Sequence, residues 1–288
     1  MSAFCFCVIV AGVKKQDRRQ EVHHFFAEPT DMNMAERTVL LRGDNYRHLV
    51  QVLRGRVGEK ILISDGDGTD YQCEITEILP EEVRLHIDFR EEMHELPADI
   101  YLFQGLPKAD KMELIIQKAV ELGARAIVPL ETKNTVVKLD GKKSESKVKR
   151  WQAIAEAAAK QSKRSVIPEV LPVMGWRQAM DYVSDFDCRL IPYENARDIR
   201  KTMAELQRLV TEDGEARETE PKTLARRKIA IFIGPEGGFA DNEIETAMAH
   251  GIVPVTLGKR ILRTETAAIC ALSIVMLTLE SAAETGEL

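Results

Sequence analysis

The stretch Ile231-Phe232-Ile233-Gly234-Pro235-Glu236-Gly237-Gly238-Phe239 decides how this chain is read. A short apolar run ends abruptly in a turn with three glycines, and glycine lets backbone approach a ligand with no Cβ in the way. Asp241 follows as the expected N-cap and Gly251 as the C′ residue of a helix. The pattern is therefore strand, tight turn, helix, with the free N–H groups of the helix aimed back at the turn. Alone, such a turn either holds a ligand or simply connects two elements. It is not a dinucleotide-binding turn, because GxGxxG is absent, nor a phosphate loop, because no GKS or GKT follows.

A second stretch lies some twenty residues further on: Leu257-Gly258-Lys259-Arg260-Ile261-Leu262-Arg263-Thr264-Glu265-Thr266-Ala267. Leu257, Ile261 and Leu262 offer apolar surface and Gly258 offers bare backbone. Arg263, Thr264 and Glu265 put charged and capping groups where a strand gives way to the last helix. Ligands of open α/β sheets bind at that carboxyl edge. Read in isolation, the segment could equally be a capped core helix with Arg263 paired to Glu265.

Outward from these two stretches, strand and helix alternate. Ile100–Gln104, Ala126–Leu130, Arg189–Pro192, Ile229–Ile233 and Val253–Leu257 are short apolar runs suited to buried parallel strands. Between them, one helix opens with Asp110 and Glu113 in capping-box spacing, buries Met112, Ile115, Ile116 and Ala119, and stops at Gly123. A second is expected over Lys147–Lys163, and a third over Asp198–Val210 with Ile199, Met203 and Leu206 buried. The last, Glu265–Ser281, is apolar nearly all round and should be covered on several sides. Leu139–Lys147 and Thr211–Arg227 are polar, contain glycine and lack a period, so both read as mobile loops.

Upstream the pattern changes to strands. Thr38–Leu41, Lys60–Ser64, Tyr71–Leu79 and Val83–Phe89 alternate, and Asp65-Gly66-Asp67-Gly68 supplies hairpin chemistry. One helix interrupts, with Asp44 as N-cap and Leu49, Val52 and Leu53 on one face. A small β-barrel follows from this arrangement, of a size that often serves as a nucleic-acid platform. Residues 1–21 match no element. They are expected to be a disordered extension, or an over-long start with Val22 as the initiator.

The net charge of −6 hides a division. Tyr101–Pro168 carries fourteen Lys or Arg against seven Asp or Glu, a local +7 that leaves −13 on the remainder. Concentrated basic residues attract phosphate whatever the total, although a solvated helix face has the same composition. The cysteines are Cys5, Cys7, Cys73, Cys188 and Cys270. They are odd in number and lack zinc spacing, which suits free thiols in a reducing cytosol and no metal site. No apolar run approaches the ~20 residues a membrane span needs, and no targeting signal is read. The expectation is a cytoplasmic protein with no membrane partner.

Taken together, IGPEGGF and LGKRILRTETA resemble the cofactor-binding motifs of the ribosomal RNA small subunit methyltransferase E family, which methylates ring nitrogen 3 of a uridine in 16S ribosomal RNA. The likeness continues through His48-Leu49-Val50-Gln51-Val52-Leu53-Arg54, through Gln104-Gly105-Leu106-Pro107-Lys108 with Gln117-Lys118 and Glu121-Leu122-Gly123, and through Arg150-Trp151, Glu156-Ala157-Ala158 and Gln161-Ser162-Lys163-Arg164. It covers roughly Val22 to Ala283. The resemblance implies an α/β fold in two parts: a PUA-like β-barrel over residues 22–93, and a SPOUT-type methyltransferase domain with a deep trefoil knot over residues 94–288. It also implies S-adenosylmethionine as cofactor, 16S ribosomal RNA within the small subunit as substrate, and a homodimer.

Carried onto this sequence, the resemblance implies a cofactor site of Ile233, Gly234, Pro235, Glu236, Gly237, Gly238, Leu257, Gly258, Ile261, Leu262 and Arg263. Arg263 is expected to stabilise charge on the base, and Glu236 or Glu265 to accept the imide proton. Arg42, His48 and Arg54 of the barrel, with Lys108, Lys111, Arg150 and Arg164 of the second domain, are the expected phosphate contacts. Two other functions fit parts of the pattern. A ribose 2′-O methyltransferase of the same superfamily would carry a Ser-Leu-Asn-type segment in place of Leu262–Thr266. A non-catalytic RNA-binding assembly factor would need the barrel and the basic segment but not both glycine turns.

Overall fold

The computed structural model describes residues 23–91, 95–211 and 226–285. The expected extension before Val22 and most of the polar stretch after Thr211 lie outside the described residues. Two sheets organise the rest. The first contains β1 (His24–Phe26), β2 (Met32–Asn33), β3 (Thr38–Arg42), β4 (Lys60–Ser64), β5 (Asp70–Ile78) and β6 (Glu82–Glu91), in the order β1-β4-β5-β6-β3-β2. Only the β1–β4 pair is parallel. Alternation along β3 and β6 puts Val39, Leu41, Val83, Leu85 and Ile87 into one apolar core, as a period of two requires. Asp65 anchors the β4–β5 turn by accepting from the N–H groups of Asp67 and Thr69.

A short helix, α1 (Gly43–Arg47), runs into a one-turn π-type helix at His48–Val52. Arg42, not Asp44, occupies the N-cap, and Asp44 instead pairs with Arg47. The Leu53 N–H donates to the His48 carbonyl, five residues back. That wider turn breaks the 3.6-residue phase. Leu49 is consequently buried while Val52 is 65% exposed, against the expectation of a shared face.

The second sheet is parallel throughout: β7 (Asp99–Gly105), β8 (Ala124–Glu131), β9 (Glu169–Val170), β10 (Met174–Gly175), β11 (Cys188–Pro192), β12 (Lys228–Ile233) and β13 (Val253–Val255). The main order is β10-β8-β7-β12-β11-β13, so β12 inserts between strands that precede it in the chain. On one face lie α2 (Lys111–Glu121), α3 (Gly141–Ser162), α5 (Ile199–Thr211) and α7 (Thr264–Thr285); α4 (Trp176–Tyr182) and α6 (Asp241–Ala249) lie on the other. Phe103 and Phe232 stack at 4.5 Å between β7 and β12. Fully burying such a side chain contributes about 1.5–3 kcal/mol.

Several boundaries differ from expectation for local reasons. The supposed loop at residues 139–147 is largely the start of α3, because the Asp140 carboxylate caps it by accepting from the Lys143 N–H. Asp110 makes no side-chain cap, and Glu113 pairs with Arg150 instead. Ala240, not Asp241, is the N-cap of α6, and its N–H donates to Glu243. Ile199 and Met203 are each 52% exposed, since the face of α5 that reaches the core carries Thr202, Leu206 and Leu209 instead. β9, β10 and α4 were not expected at all.

By length and composition α7 could cross a membrane, since an 18-residue stretch within Thr264–Glu284 has a mean hydropathy of 1.8, which corrects the expectation that no apolar run approaches that length. In the fold its Ala268, Leu272, Val275 and Leu279 are core residues.

The two sheets meet in a polar seam. Asp70, wholly buried, accepts from the hydroxyls of Ser64 and Ser165, the latter at 2.7 Å. His24 is hydrogen-bonded to Ser64, and Val166 bridges to Gly66 and Asp67. Arg164 fills the gap beneath: its guanidinium pairs with Glu95 and donates to the carbonyls of Val120 and Ala124. Gly123 (φ +88) is required here, because a Cβ would stand 2.4 Å from Leu96 Cδ1.

Candidate active site at the carboxyl edge of the parallel sheet

Three segments converge where β7, β12 and β13 end. The first follows β7 and carries Gln104 to Lys111; the second is the glycine turn after β12; the third enters α7. Gly105 and Pro235 pack so closely that a Cβ on Gly105 would lie 2.5 Å from Pro235 Cδ. Ala109 sits at φ +55, a conformation a non-glycine side chain adopts only when its surroundings enforce it. That turn presents the Lys108 N–H to both carboxylate oxygens of Glu236, at 3.1 and 3.2 Å. One turn later the Lys111 ammonium bridges Glu236 at 3.0 Å and Glu265 at 3.3 Å.

These contacts set the electrostatics. Burial pushes the Glu236 carboxyl up, but its own backbone N–H, Lys111 and the Lys108 N–H outweigh that and hold it below the ordinary glutamate range. Hydrogen bonding to Glu236, with Glu265 behind it, raises the Lys111 ammonium. Both effects favour the charged forms.

The glycine turn is held from both sides. The Gly238 N–H donates to the Pro235 carbonyl, and Asn134, after β8, donates to the carbonyls of Gly237 and Gly238 at 3.0 and 3.3 Å. Gly238 (φ +64) has open space where a Cβ would stand, which leaves room for a ligand beside the turn. Gly258 has φ +112, a left-handed conformation that favours glycine. Ile261 is 89% exposed and Leu257 half-buried, an apolar surface held out at the same edge. Leu257 also borders an apolar hollow with Leu190, Leu206, Val255 and Val275. Ile233 and Pro235 are buried, so Ile233 can offer a ligand little beyond its backbone.

The expected site residues divide. Glu236, Lys111, Glu265 and the two glycine turns come together. Arg263 is exposed and pairs with no described residue; Glu265 pairs with Lys111 rather than with Arg263. Among the expected phosphate contacts, His48, Arg54 and Lys108 are exposed and make no ion pair with a described residue. Arg42 is held by Asp31 and Glu82, each at 2.9 Å, and Arg150 by Glu113. Arg164 is a correction: buried and paired with Glu95, it ties the seam and has no charge to offer solvent. Lys111 is likewise spent on two carboxylates.

Sequence reading gave Asn134 and Gln104 no role. A polar glutamine closing the apolar run Leu102-Phe103 was the available signal for Gln104. Asn134 sits in a loop with no motif to mark it.

Known proteins share this arrangement. The RNA methyltransferase domain family matches residues 94–276, and the RNA methyltransferase PUA domain family matches residues 41–88. The chain is 36% identical over 256 residues to ribosomal RNA small subunit methyltransferase E of Bacillus subtilis, covering 88% of this chain and 96% of that one. It is 33% identical to the Synechocystis protein of the same name, covering 85% and 75%. The solved structure of ribosomal RNA small subunit methyltransferase E from Neisseria gonorrhoeae bound to S-adenosyl methionine superposes with a TM-score of 0.69 at 31% identity, over 89% of this chain and 97% of that one. The chain belongs to the RNA methyltransferase family of which ribosomal RNA small subunit methyltransferase E is a member.

Proposed function

We propose that the protein transfers a methyl group from S-adenosylmethionine to ring nitrogen 3 of a uridine in 16S ribosomal RNA, within the small ribosomal subunit and in the cytoplasm. The observation that carries the reading is the convergence of both glycine turns and the Lys111–Glu236–Glu265 cluster at one sheet edge, in a chain with these relatives. The open space beside Gly238, the exposed Ile261 and the half-buried Leu257 and Leu262 fit an adenosyl ligand. When bound, the cofactor supplies a methyl already activated on a sulfonium.

The chain then has three tasks: orienting the base, removing its imide proton and stabilising the charge that develops. Arg263, unpaired among the described residues, does the last. Glu265 takes the proton. Glu236 is the weaker base, because it already accepts from Lys108 and Lys111, and it serves chiefly to tie the turn after β7 to the turn after β12. His48, Arg54 and Lys108 contact phosphates. The division into a barrel domain over 22–93 and a transferase domain over 94–288 follows the two sheets. A trefoil knot is supported by the insertion of β12 between earlier strands and by the hydrogen bond from Thr264 back to Gly234. A homodimer is supported by the apolar remainder of α7, where Leu277 is exposed and Ile274 and Met276 are half-buried.

Small subunits lacking the modification, incubated with protein and labelled S-adenosylmethionine and digested to nucleosides, are expected to yield N3-methyluridine. A ribose methyl would favour the 2′-O alternative. Absence of cofactor binding in calorimetry would favour a non-catalytic RNA-binding factor.

A further inference from the structure

The Gln104 side chain is wholly buried at the end of β7. Its Nε2 donates to the Gly105 carbonyl and to the Thr264 hydroxyl, both at 2.9 Å. The Thr264 hydroxyl, itself buried, donates in turn to the Gly234 carbonyl at 2.6 Å. The direction is fixed, because the Gly105 carbonyl can only accept and the amide must therefore turn its nitrogen toward it. The chain of donors runs one way, from the end of β7 through the first residue of α7 to the first residue of the glycine turn.

Gln104 Oε1 meanwhile has no hydrogen-bond partner among the described residues. Native proteins leave few buried acceptors unpaired. That this one is tolerated means the orientation of the amide is set by the two bonds on its nitrogen.

From this geometry we infer that Gln104 and Thr264 are positioning residues of the methyl-transfer reaction, with Thr264 as the pivot that sets the glycine turn. The bond to the Gly234 carbonyl fixes the peptide plane from which Pro235 departs, and Gly105 packs against Pro235 with no room for a Cβ between them. The turn amides and Gly238 inherit their placement from that plane. The inference rests on the reading that this turn holds S-adenosylmethionine.

Calorimetry with S-adenosylmethionine on the full-length protein tests it, using Thr264→Val, Thr264→Ser and Gln104→Met, with Gly237→Val as the control on the turn itself. Removing the hydroxyl takes the donor from the partly buried Gly234 carbonyl and one of two acceptors from the buried Gln104 amide, so Thr264→Val should bind the cofactor about tenfold more weakly or worse. Serine keeps the hydroxyl and should restore affinity to within about twofold. Gln104→Met should weaken binding in the same direction, and it carries the test if Thr264→Val does not fold. In steady state the KM for cofactor should rise while kcat at saturation changes little, a split that a loss of stability alone would not give. Wild-type affinity in both Thr264→Val and Gln104→Met, with Gly237→Val impaired, overturns the relay. Wild-type affinity in Gly237→Val as well means that the turn is not the cofactor site, and the underlying reading fails instead.

Discussion

Two ionic clusters occupy opposite edges of the same parallel sheet, and they use charge differently. At the amino edge the side chains of Arg164 and Glu95 are buried, and every side-chain donor of Arg164 points at Glu95, Val120 or Ala124. At the carboxyl edge Lys111 holds Glu236 and Glu265 with all three side chains partly open to solvent, and Arg263 beside them pairs with no described residue. A closed cluster can only hold parts together, whereas an open one can meet a ligand. Residue type does not separate the two; burial and partner count do.

Breaking the closed cluster should have the largest effect. Arg164→Ala leaves Glu95 buried without its partner, and a buried pair broken on one side costs about 3–5 kcal/mol. Chemical denaturation should show that loss. A variant within 1 kcal/mol of wild type, on the order of a surface pair, would mean that the seam is solvated in solution.

The open edge should respond in function rather than in stability. A Cβ on Gly237 would stand 3.0 Å from the Asn134 Cβ and press on the residue that ties the turn. Gly237→Val should weaken cofactor binding by about tenfold or more, a cost of ~1.4 kcal/mol. The denaturation midpoint should move far less than in Arg164→Ala.

A smaller effect separates the edges by pH. Burial lowers the His24 pKa from 6.5 despite the nearby Asp70 carboxylate. The unfolded chain therefore binds the proton more readily, and the contribution of His24 is complete above about pH 6.5 and declines as pH falls below it. The denaturation midpoint should drop over that range, and His24→Gln should flatten the drop. An unchanged slope in His24→Gln would remove His24 from the seam's account.

The smallest contrast lies within the domain of the first sheet. Arg54 is exposed and pairs with no described residue, whereas Arg42 is held by Asp31 and Glu82. Arg54→Ala should reduce the slope of log affinity for RNA against log salt by about one, and Arg42→Ala should leave it nearly unchanged. Equal slopes in the two variants would mean that the Arg42 ion pairs open on binding.

The same distinction explains what was legible in the sequence. The parallel strands could be read because Ile100–Phe103 and Ile229–Ile233 are continuous apolar runs. The two glycine turns could be read because their residue types have few other uses. Position-dependent facts could not. Arg164 and Arg54 look alike in sequence, yet one is sealed beneath Glu95 and the other is exposed. The first turns of α3 were hidden because residues 141–149 carry lysines without an apolar period, although Asp140 was a visible cap. Val52 was misplaced because a π-type turn changes the helical phase, which no composition announces. Asn134 and Gln104 act through partners more than a hundred residues away, and only the fold brings those together.

If the open edge performs the proposed chemistry, Arg263 is the residue that tests it most directly. Its proposed partner is charge that exists only as the base reacts, so Arg263→Ala should bind RNA and cofactor almost normally. Single-turnover methylation at saturating RNA and S-adenosylmethionine should then slow by ~100-fold or more, the scale of losing one stabilising donor. A rate near wild type, with binding intact, would contradict the claim and leave Arg263 as an exposed charge at a strand edge.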